Sequence, residues 1–171
     1  MKPSRRQTLF LMGATAAAGL TAGPALAGSK TIVQVSMWDR GTDAMSSFDM
    51  TKPIMLGTKG VAYKDSAPMG FTANKYVIPS GQVEFVVTNT SSVMEHEMLV
   101  IPIKDVTRPL PYNKDEARLD EDAAGSLGEV SETEPGGTGR VTLSLKPGTY
   151  MLTCNIAGHY AMGMWTLITV I

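Results

Sequence analysis

The sequence predicts an all-β fold, a sandwich or barrel of about seven or eight short strands. Short segments that alternate apolar and polar residues, rich in β-branched and aromatic types, recur along the chain. Turn signals such as Pro79-Ser80-Gly81 and Pro147-Gly148 separate them, and one weak helical segment is found. A chain of 171 residues can build one core of ordinary size, so a single domain is expected.

The strand-like segments cover residues 31–37, 71–78, 83–88, 95–103, 141–145, 150–154 and 165–171. The segments 71–78 and 83–88 flank the turn at Pro79 and are predicted to form a hairpin. Residues 39–70 mix Gly, Asp, Ser and Pro, which predicts a loop with one or two short strands. The scattered methionines of this segment are interpreted as flexible core packing, with an additional soft-metal site as the alternative.

Residues 104–140 form a polar insertion between two strand-like segments. Prolines at 109 and 111 stand at one end and Pro135-Gly136-Gly137 at the other. The acidic middle, Lys114 to Ala124, predicts one short helix. Its charge indicates a solvated face, and a dedicated acidic docking site is the alternative.

The first 27 residues have the features of an export signal. Basic residues come first, an apolar run follows, and small residues precede the predicted cleavage site: Lys2, Arg5 and Arg6, then Leu9 to Leu26, then Ala25 and Ala27. The adjacent arginines resemble a twin-arginine signal; an ordinary secretory signal and an uncleaved anchor are the alternatives. We therefore expect cleavage after Ala27, a mature domain of residues 28–171 and a periplasmic location.

The charge balance of the predicted mature chain argues against nucleic acid as a partner. All 16 acidic residues follow position 27, whereas three of the 15 basic residues precede it, which leaves a formal charge of −4. Nucleic-acid binding usually needs a concentrated basic surface. No later stretch offers about 18 consecutive apolar residues, so the mature protein is expected to be soluble.

The stretch Cys154 to Met164 concentrates three kinds of soft metal ligand. It contains the only cysteine of the chain, one of its two histidines, and the methionines 162 and 164. A thiolate, an imidazole and a thioether together favour copper, and a free thiol in an exported protein needs an occupant. Taken alone, each residue could have a purely structural role, because a lone cysteine is often a small buried apolar residue and a histidine is often a surface or hydrogen-bonded core residue. Their joint spacing, with His96 upstream, favours a metal site.

The pattern Cys154-x4-His159-x4-Met164 resembles the cupredoxin family of blue copper proteins. His96 after Val-Met-Glu and the turn at 79–81 add to the resemblance, which covers about residues 70–171, with 31–37 as a first strand. It implies a Greek-key β-sandwich with one type 1 copper ion. His96, Cys154 and His159 would be the equatorial ligands and Met164 the axial ligand. The resemblance also implies that His159 lies near the surface, in an apolar patch.

Three features depart from the family pattern. Glu97 stands where many cupredoxins have an asparagine that braces the ligand loop. Met162 competes with Met164 for the axial position. The insertion at 104–140 and the methionine-bearing segment before residue 70 have no counterpart in the smallest members.

The leading functional expectation is a periplasmic carrier of single electrons, with Cu(I) and Cu(II) alternating in one site. Its partners would be redox proteins, a cytochrome or a copper enzyme, that dock near His159. The alternative is a copper chaperone or resistance protein that uses Met94-x-His96-x-Met98 and the 159–164 cluster. An enzyme is not expected, because a catalytic copper would need further histidines and both histidines are already assigned.

Overall fold

A computed structural model of the protein describes residues 30–58 and 66–171; the predicted signal at 1–27 lies outside them. Eleven strands and two short helices are found in this part of the chain. The strands are β1 (Thr31–Asp39), β2 (Met69–Ala73), β3 (Val77–Ile78), β4 (Gly81–Asn89), β5 (His96–Ile103), β6 (Tyr112–Asn113), β7 (Arg118–Leu119), β8 (Glu129–Thr133), β9 (Thr138–Leu145), β10 (Gly148–Thr153) and β11 (Trp165–Val170), and the helices are α1 (Thr42–Ser46) and α2 (Glu121–Ala124).

Nine of the strands form two sheets, which confirms the predicted all-β class. The first sheet has the order β2-β1-β4-β9 and the second β3-β11-β10-β5-β8, while β6 and β7 form a separate hairpin. The pairs β1–β4 and β3–β11 are parallel, and the other pairs are antiparallel. The chain changes sheet repeatedly, so residues distant in sequence meet in one core.

The second sheet is buried on both faces. Its inner face packs against the first sheet, where Val100 and Leu152 meet Val33 and Phe85 in one cluster. Its outer face carries Leu99, Ile101 and Met151, which pack with Leu56, Leu119 and Tyr160 from outside the sheet. Burial on both faces explains why β5 reads as a continuous apolar run instead of alternating. The insertion and the segment around Leu56 therefore cover the outer face of this sheet.

Two sequence predictions about pairing were wrong. The single strand expected at 71–78 is two strands in different sheets: β2 pairs with β1, and β3 pairs with β11. The hairpin expected between 71–78 and 83–88 is absent, because β4 lies between β1 and β9. Alternation in a sequence identifies a strand without specifying its neighbour. Within the described part of 39–70, the structure has the helix α1 and the start of β2.

The insertion is more structured than its composition indicated. The predicted short helix is present as α2, with the Asp120 side chain accepting a hydrogen bond from the Ala123 N–H at 3.0 Å and Gly125 ending it at φ 75°. The insertion also contains β6, β7 and the edge strand β8, which pairs with β5. None of the helices in residues 30–58 and 66–171 has both the length and the apolar character needed to span a bilayer.

Candidate metal centre

Antiparallel pairing of β5 and β10 brings two of the predicted ligands to one end of the second sheet. His96 is the first residue of β5, and Cys154 directly follows the end of β10. The register pairs Leu99 with Thr153, so both residues lie at the same end. Alternation along the two strands places the Cys154 side chain in the inner cluster with Met98 and Leu152.

Three donor side chains converge at this end of the sandwich. Ligand atoms of His96, Cys154 and His159 all lie within 4.8 Å of one another. The Nδ1 atoms of the two histidines are 3.4 Å apart, and Cys154 Sγ lies 3.2 Å from His159 Nδ1. The imidazole rings meet edge to face, with centroids 5.1 Å apart. The structure thus brings together the three residues that the family resemblance implies as equatorial ligands.

Burial of the three residues favours their neutral forms in the absence of a cation. His96 and Cys154 are fully buried, and His159 is 6 % exposed. Burial raises the pKa of the Cys154 thiol to about 12. Burial, together with repulsion from His96, lowers the pKa of His159 to about 4. The pKa of His96 is also lowered, again because of burial. The imidazoles are therefore neutral at pH 7, as metal ligation requires.

Hydrogen bonds within the loop 154–164 hold its two ends together. The Cys154 N–H donates to the Met164 carbonyl at 3.1 Å, and the Met164 N–H donates to the His159 carbonyl at 3.0 Å. Gly158 and Gly163 adopt φ values of 83° and 89°, which glycine reaches without strain. The loop is therefore a folded turn with a defined ligand geometry.

Glu97 braces the ligand loop where many cupredoxins use an asparagine. Its side chain is on the outer face of β5, and Oε1 accepts a hydrogen bond from the Asn155 N–H at 2.8 Å. The bond joins the residue after His96 to the residue after Cys154. The sequence departure thus keeps a link between the two ligand-bearing segments, and a carboxyl group takes the place of the amide.

The insertion contacts the ligand loop directly. The Asn155 side chain accepts from the Leu119 N–H at 2.6 Å and donates to the Leu119 carbonyl at 3.1 Å and to Glu121 Oε1 at 2.8 Å. The Gly158 N–H donates to the Ala117 carbonyl at 2.8 Å. These contacts attach the β6–β7 hairpin to the part of the loop between Cys154 and His159. No motif in the insertion predicts these contacts.

The segment 50–58 supports the loop from another side. The Ile54 N–H donates to the Ala161 carbonyl at 2.7 Å, and the Trp165 indole N–H donates to the Ile54 carbonyl at 2.7 Å. The Tyr160 hydroxyl accepts from the Leu56 N–H at 3.1 Å. Part of the stretch read as an irregular loop is therefore a fixed support of the ligand loop.

A buried carboxylate on β1 contacts His96 and was not anticipated from the sequence. Asp39 Oδ2 lies 3.0 Å from His96 Nε2, and the Asp39 side chain is 2 % exposed. Burial alone raises its pKa, but hydrogen bonds from Ser91, His96 and the Gly41 N–H outweigh burial and bring the pKa below its usual range. Asp39 is thus ionised at neutral pH.

The two candidate axial methionines occupy different surroundings. Met164 is fully buried, and its carbonyl accepts the Cys154 N–H. Met162 is 8 % exposed, and its side chain lies beside Gly158 in the same loop. A Cβ atom added at Gly158 would lie 3.6 Å from Met162 Cε. Both belong to the inner core cluster. Met164 is thus the more deeply buried of the two methionines, and its backbone is hydrogen-bonded to Cys154.

Comparison with known proteins identifies the class of protein. Residues 58–171 match the family described as copper binding proteins, plastocyanin/azurin family, and the chain therefore belongs to this family of cupredoxins. The predicted family is confirmed, and copper is the cofactor, since the buried donor set of two imidazoles and a thiol fits it. A comparison with curated protein sequences found no significant match.

The chain is similar to solved structures of rusticyanin and auracyanin. Rusticyanin from Thiobacillus ferrooxidans is 18 % identical, with a TM-score of 0.51 over 84 % of this chain and 79 % of that chain. A reduced rusticyanin is 19 % identical, with a TM-score of 0.50 over 84 % and 81 % of the two chains. Auracyanin from Roseiflexus castenholzii is 20 % identical, with a TM-score of 0.48 over 84 % and 98 %. At these identities the rusticyanin structures show a shared fold.

Replacing Glu97 should change how stability depends on pH. Burial, followed by the charge of Glu132, raises the pKa of Glu97 from 4.5 to about 7. Between pH 4.5 and about 7, the folded chain therefore binds more protons than the unfolded chain. The contribution of Glu97 to the free energy of unfolding is consequently complete below pH 4.5 and is lost as pH rises through 7. The loss amounts to about 3 kcal/mol. In Glu97→Gln, the free energy of unfolding of the metal-free protein should lack this component.

Chemical denaturation at several pH values measures the effect. Glu116→Gln is the control, because it removes an exposed carboxylate and should keep the wild-type pH dependence. Titration of the histidines makes stability rise with pH, which is opposite in sign to the effect of Glu97. This change is the same in all three proteins, so it cancels when the stability of each variant is subtracted from that of the wild type. Equal pH dependence of the wild type and Glu97→Gln would contradict the prediction.

Proposed function

We propose that His96, Cys154, His159 and Met164 bind one type 1 copper ion and that the protein carries single electrons between periplasmic redox partners. The observation that carries this proposal is the convergence of three buried donors within 4.8 Å, at the end of a two-sheet sandwich. The bound copper supplies a one-electron couple between Cu(II) and Cu(I). The chain's contribution is to hold the donor atoms in one arrangement for both oxidation states.

The rigidity of the donor set supports electron transfer. His96 and Cys154 are anchored on paired strands, and Glu97 links the two segments through Asn155. His159 lies in a loop that hydrogen-bonds to residues 54 and 117. A frame of this kind resists rearrangement of the donors when the charge of the site changes, and little rearrangement makes one-electron transfer fast.

Burial of the donors disfavours a trafficking role. A protein that hands copper to another protein needs ligands that the recipient can reach, whereas His96, Cys154 and Met164 are fully buried. An enzymatic role would need further imidazoles for a catalytic copper, and the chain has two histidines. Electron transfer requires neither exposed ligands nor an additional metal site.

A redox partner, a cytochrome or a copper enzyme, is proposed to dock beside His159. A surface cleft next to the ligand loop is lined largely by apolar residues, among them Met50, Pro53, Met55 and Ala161. Ala161 is two residues from His159, and Met50 is 47 % exposed. An apolar surface close to the metal brings the two redox centres near each other without strong charge attraction, which suits a transient complex.

The periplasmic location is part of the proposal and rests on the first 27 residues. Arg5 and Arg6 precede an apolar run that ends in small residues, with Ala27 at the predicted cleavage site. A free thiol such as Cys154 survives an oxidising compartment when a metal occupies it.

Copper-loaded wild-type protein should show an intense visible thiolate-to-copper band, and reduction followed by reoxidation should remove and restore it. Cys154→Ser should lose the band because no thiolate remains. Optical and electron-paramagnetic spectra during a redox titration measure this. A missing band, or reduction that cannot be reversed, would overturn the proposed function. Unchanged Cu(I) affinity and copper delivery in Cys154→Ser would favour trafficking instead.

Met164→Leu should raise the reduction potential, because it removes a thioether donor that stabilises the oxidised site. The visible band should remain, since the equatorial donors are unchanged. Met162→Leu is the matched control and should leave the potential close to that of the wild type. Protein-film voltammetry measures both variants. A shift in Met162→Leu without a shift in Met164→Leu would assign the axial position to Met162.

Replacing Arg5 and Arg6 together by lysine should block export if the signal is of the twin-arginine type. The expected result is accumulation of uncleaved precursor, while the wild type yields a mature protein that begins at Gly28. Intact-mass measurement of the periplasmic and cytoplasmic fractions separates the two forms. Lys2→Arg is the control and should be processed normally. Normal processing of the lysine variant would indicate an ordinary secretory signal.

A further inference from the structure

Asp39 stands behind His96 at the metal centre. It is the last residue of β1, in the sheet opposite the one that carries His96. The Oδ2 atom lies 3.0 Å from His96 Nε2, and the two side chains are 2 % and 0 % exposed. The Nδ1 atom of the same ring lies 3.4 Å from His159 Nδ1, among the donor atoms. The imidazole of His96 therefore spans from the carboxylate to the metal centre.

The contact determines which nitrogen of His96 carries the proton. An ionised carboxylate can only accept hydrogen bonds, so Nε2 must be protonated and donate to Oδ2. In a neutral imidazole the other nitrogen then has a free lone pair. Nδ1, which faces the other donors, is the nitrogen left free to bind copper.

Asp39 is itself held in place by several hydrogen bonds. The Gly41 N–H donates to Oδ1 at 2.7 Å, and the Ser91 hydroxyl also hydrogen-bonds to the carboxylate. The Ser91 oxygen in turn accepts the N–H groups of Val93 and Met94, both at 3.0 Å. The carboxylate is therefore fixed to the turn that leads into His96, so the acceptor and the ring are positioned together.

We propose that Asp39 is the positioning residue for the copper ligand His96: it selects the Nε2–H tautomer and, through its negative charge, stabilises Cu(II) relative to Cu(I). The inference rests on the proposed function for its copper-dependent part. A hydrogen-bond acceptor behind a ligating histidine fixes the ring and makes it a stronger donor. A negative charge this close, and shielded from water, favours the more highly charged oxidation state.

The first test measures copper affinity and reduction potential in Asp39→Asn, which keeps the shape and a carbonyl acceptor but removes the charge. Affinity for Cu(II) should fall about 10–100-fold, and affinity for Cu(I) should fall less. Each tenfold difference between the two losses raises the potential by about 59 mV. Asp43→Asn removes the same charge from the exposed start of α1 and is the control, with the wild-type potential expected. Equal potentials in Asp39→Asn and Asp43→Asn would overturn the electrostatic role.

The second test uses metal-free wild-type protein and therefore does not depend on a variant that folds or on copper. Nitrogen-15 NMR with long-range couplings should show the neutral His96 ring protonated at Nε2. Protonation at Nδ1 would overturn the positioning role. Failure of the proposed electron-transfer function would leave this tautomer unchanged, so the two failures can be distinguished.

Discussion

Antiparallel pairing of β5 with β10 is the constraint on which the metal centre depends. It places His96 and Cys154, 58 residues apart in the chain, at one end of the same sheet. Because side chains alternate between the faces of a sheet, a slip of one residue in this register would turn Cys154 toward the outer face and Asn155 toward the inner one. The ladder of hydrogen bonds between the two strands thus decides whether a thiol or an amide faces the histidines.

The donors lie where water is excluded, and this exclusion sets their protonation states before any metal binds. Burial keeps the thiol protonated, with its pKa at about 12, and keeps the imidazoles neutral. Copper binding therefore requires loss of the Cys154 thiol proton, whereas the two neutral imidazoles can bind copper without losing a proton. Around the donors, the chain hydrogen-bonds the polar groups it buries, and Asn89 shows how: its side-chain N–H groups donate to the carbonyls of Met94 and Thr133. Copper binding accordingly stabilises a fold that is already arranged to receive it.

Local features of the site were predictable from the sequence, and its supports were not. Spacing within one loop pointed to Cys154 and His159, because a turn between adjacent strands keeps such residues close whatever the rest of the fold does. The contact between Asp39 and His96 joins residues 57 positions apart in opposite sheets, and no short pattern reports it. The predicted pairing of the strands after residue 70 was wrong for the same reason, because alternation does not specify which strand lies alongside. Glu97 was noted as a departure from the family, but its partner Asn155 became apparent only in three dimensions.

The order of the strands has a consequence for biogenesis. The site draws on β1 for Asp39, on β5 for His96 and on the loop before β11 for His159, so it spans the described domain almost from its first strand to its last. During synthesis, no nascent fragment that lacks the C-terminal strand pair can assemble the three donors around one ion. Pairings between such distant segments form late in folding, because the intervening chain must first lose its conformational freedom. Copper can therefore occupy the complete site only after the described domain, from β1 to β11, has reached its native topology.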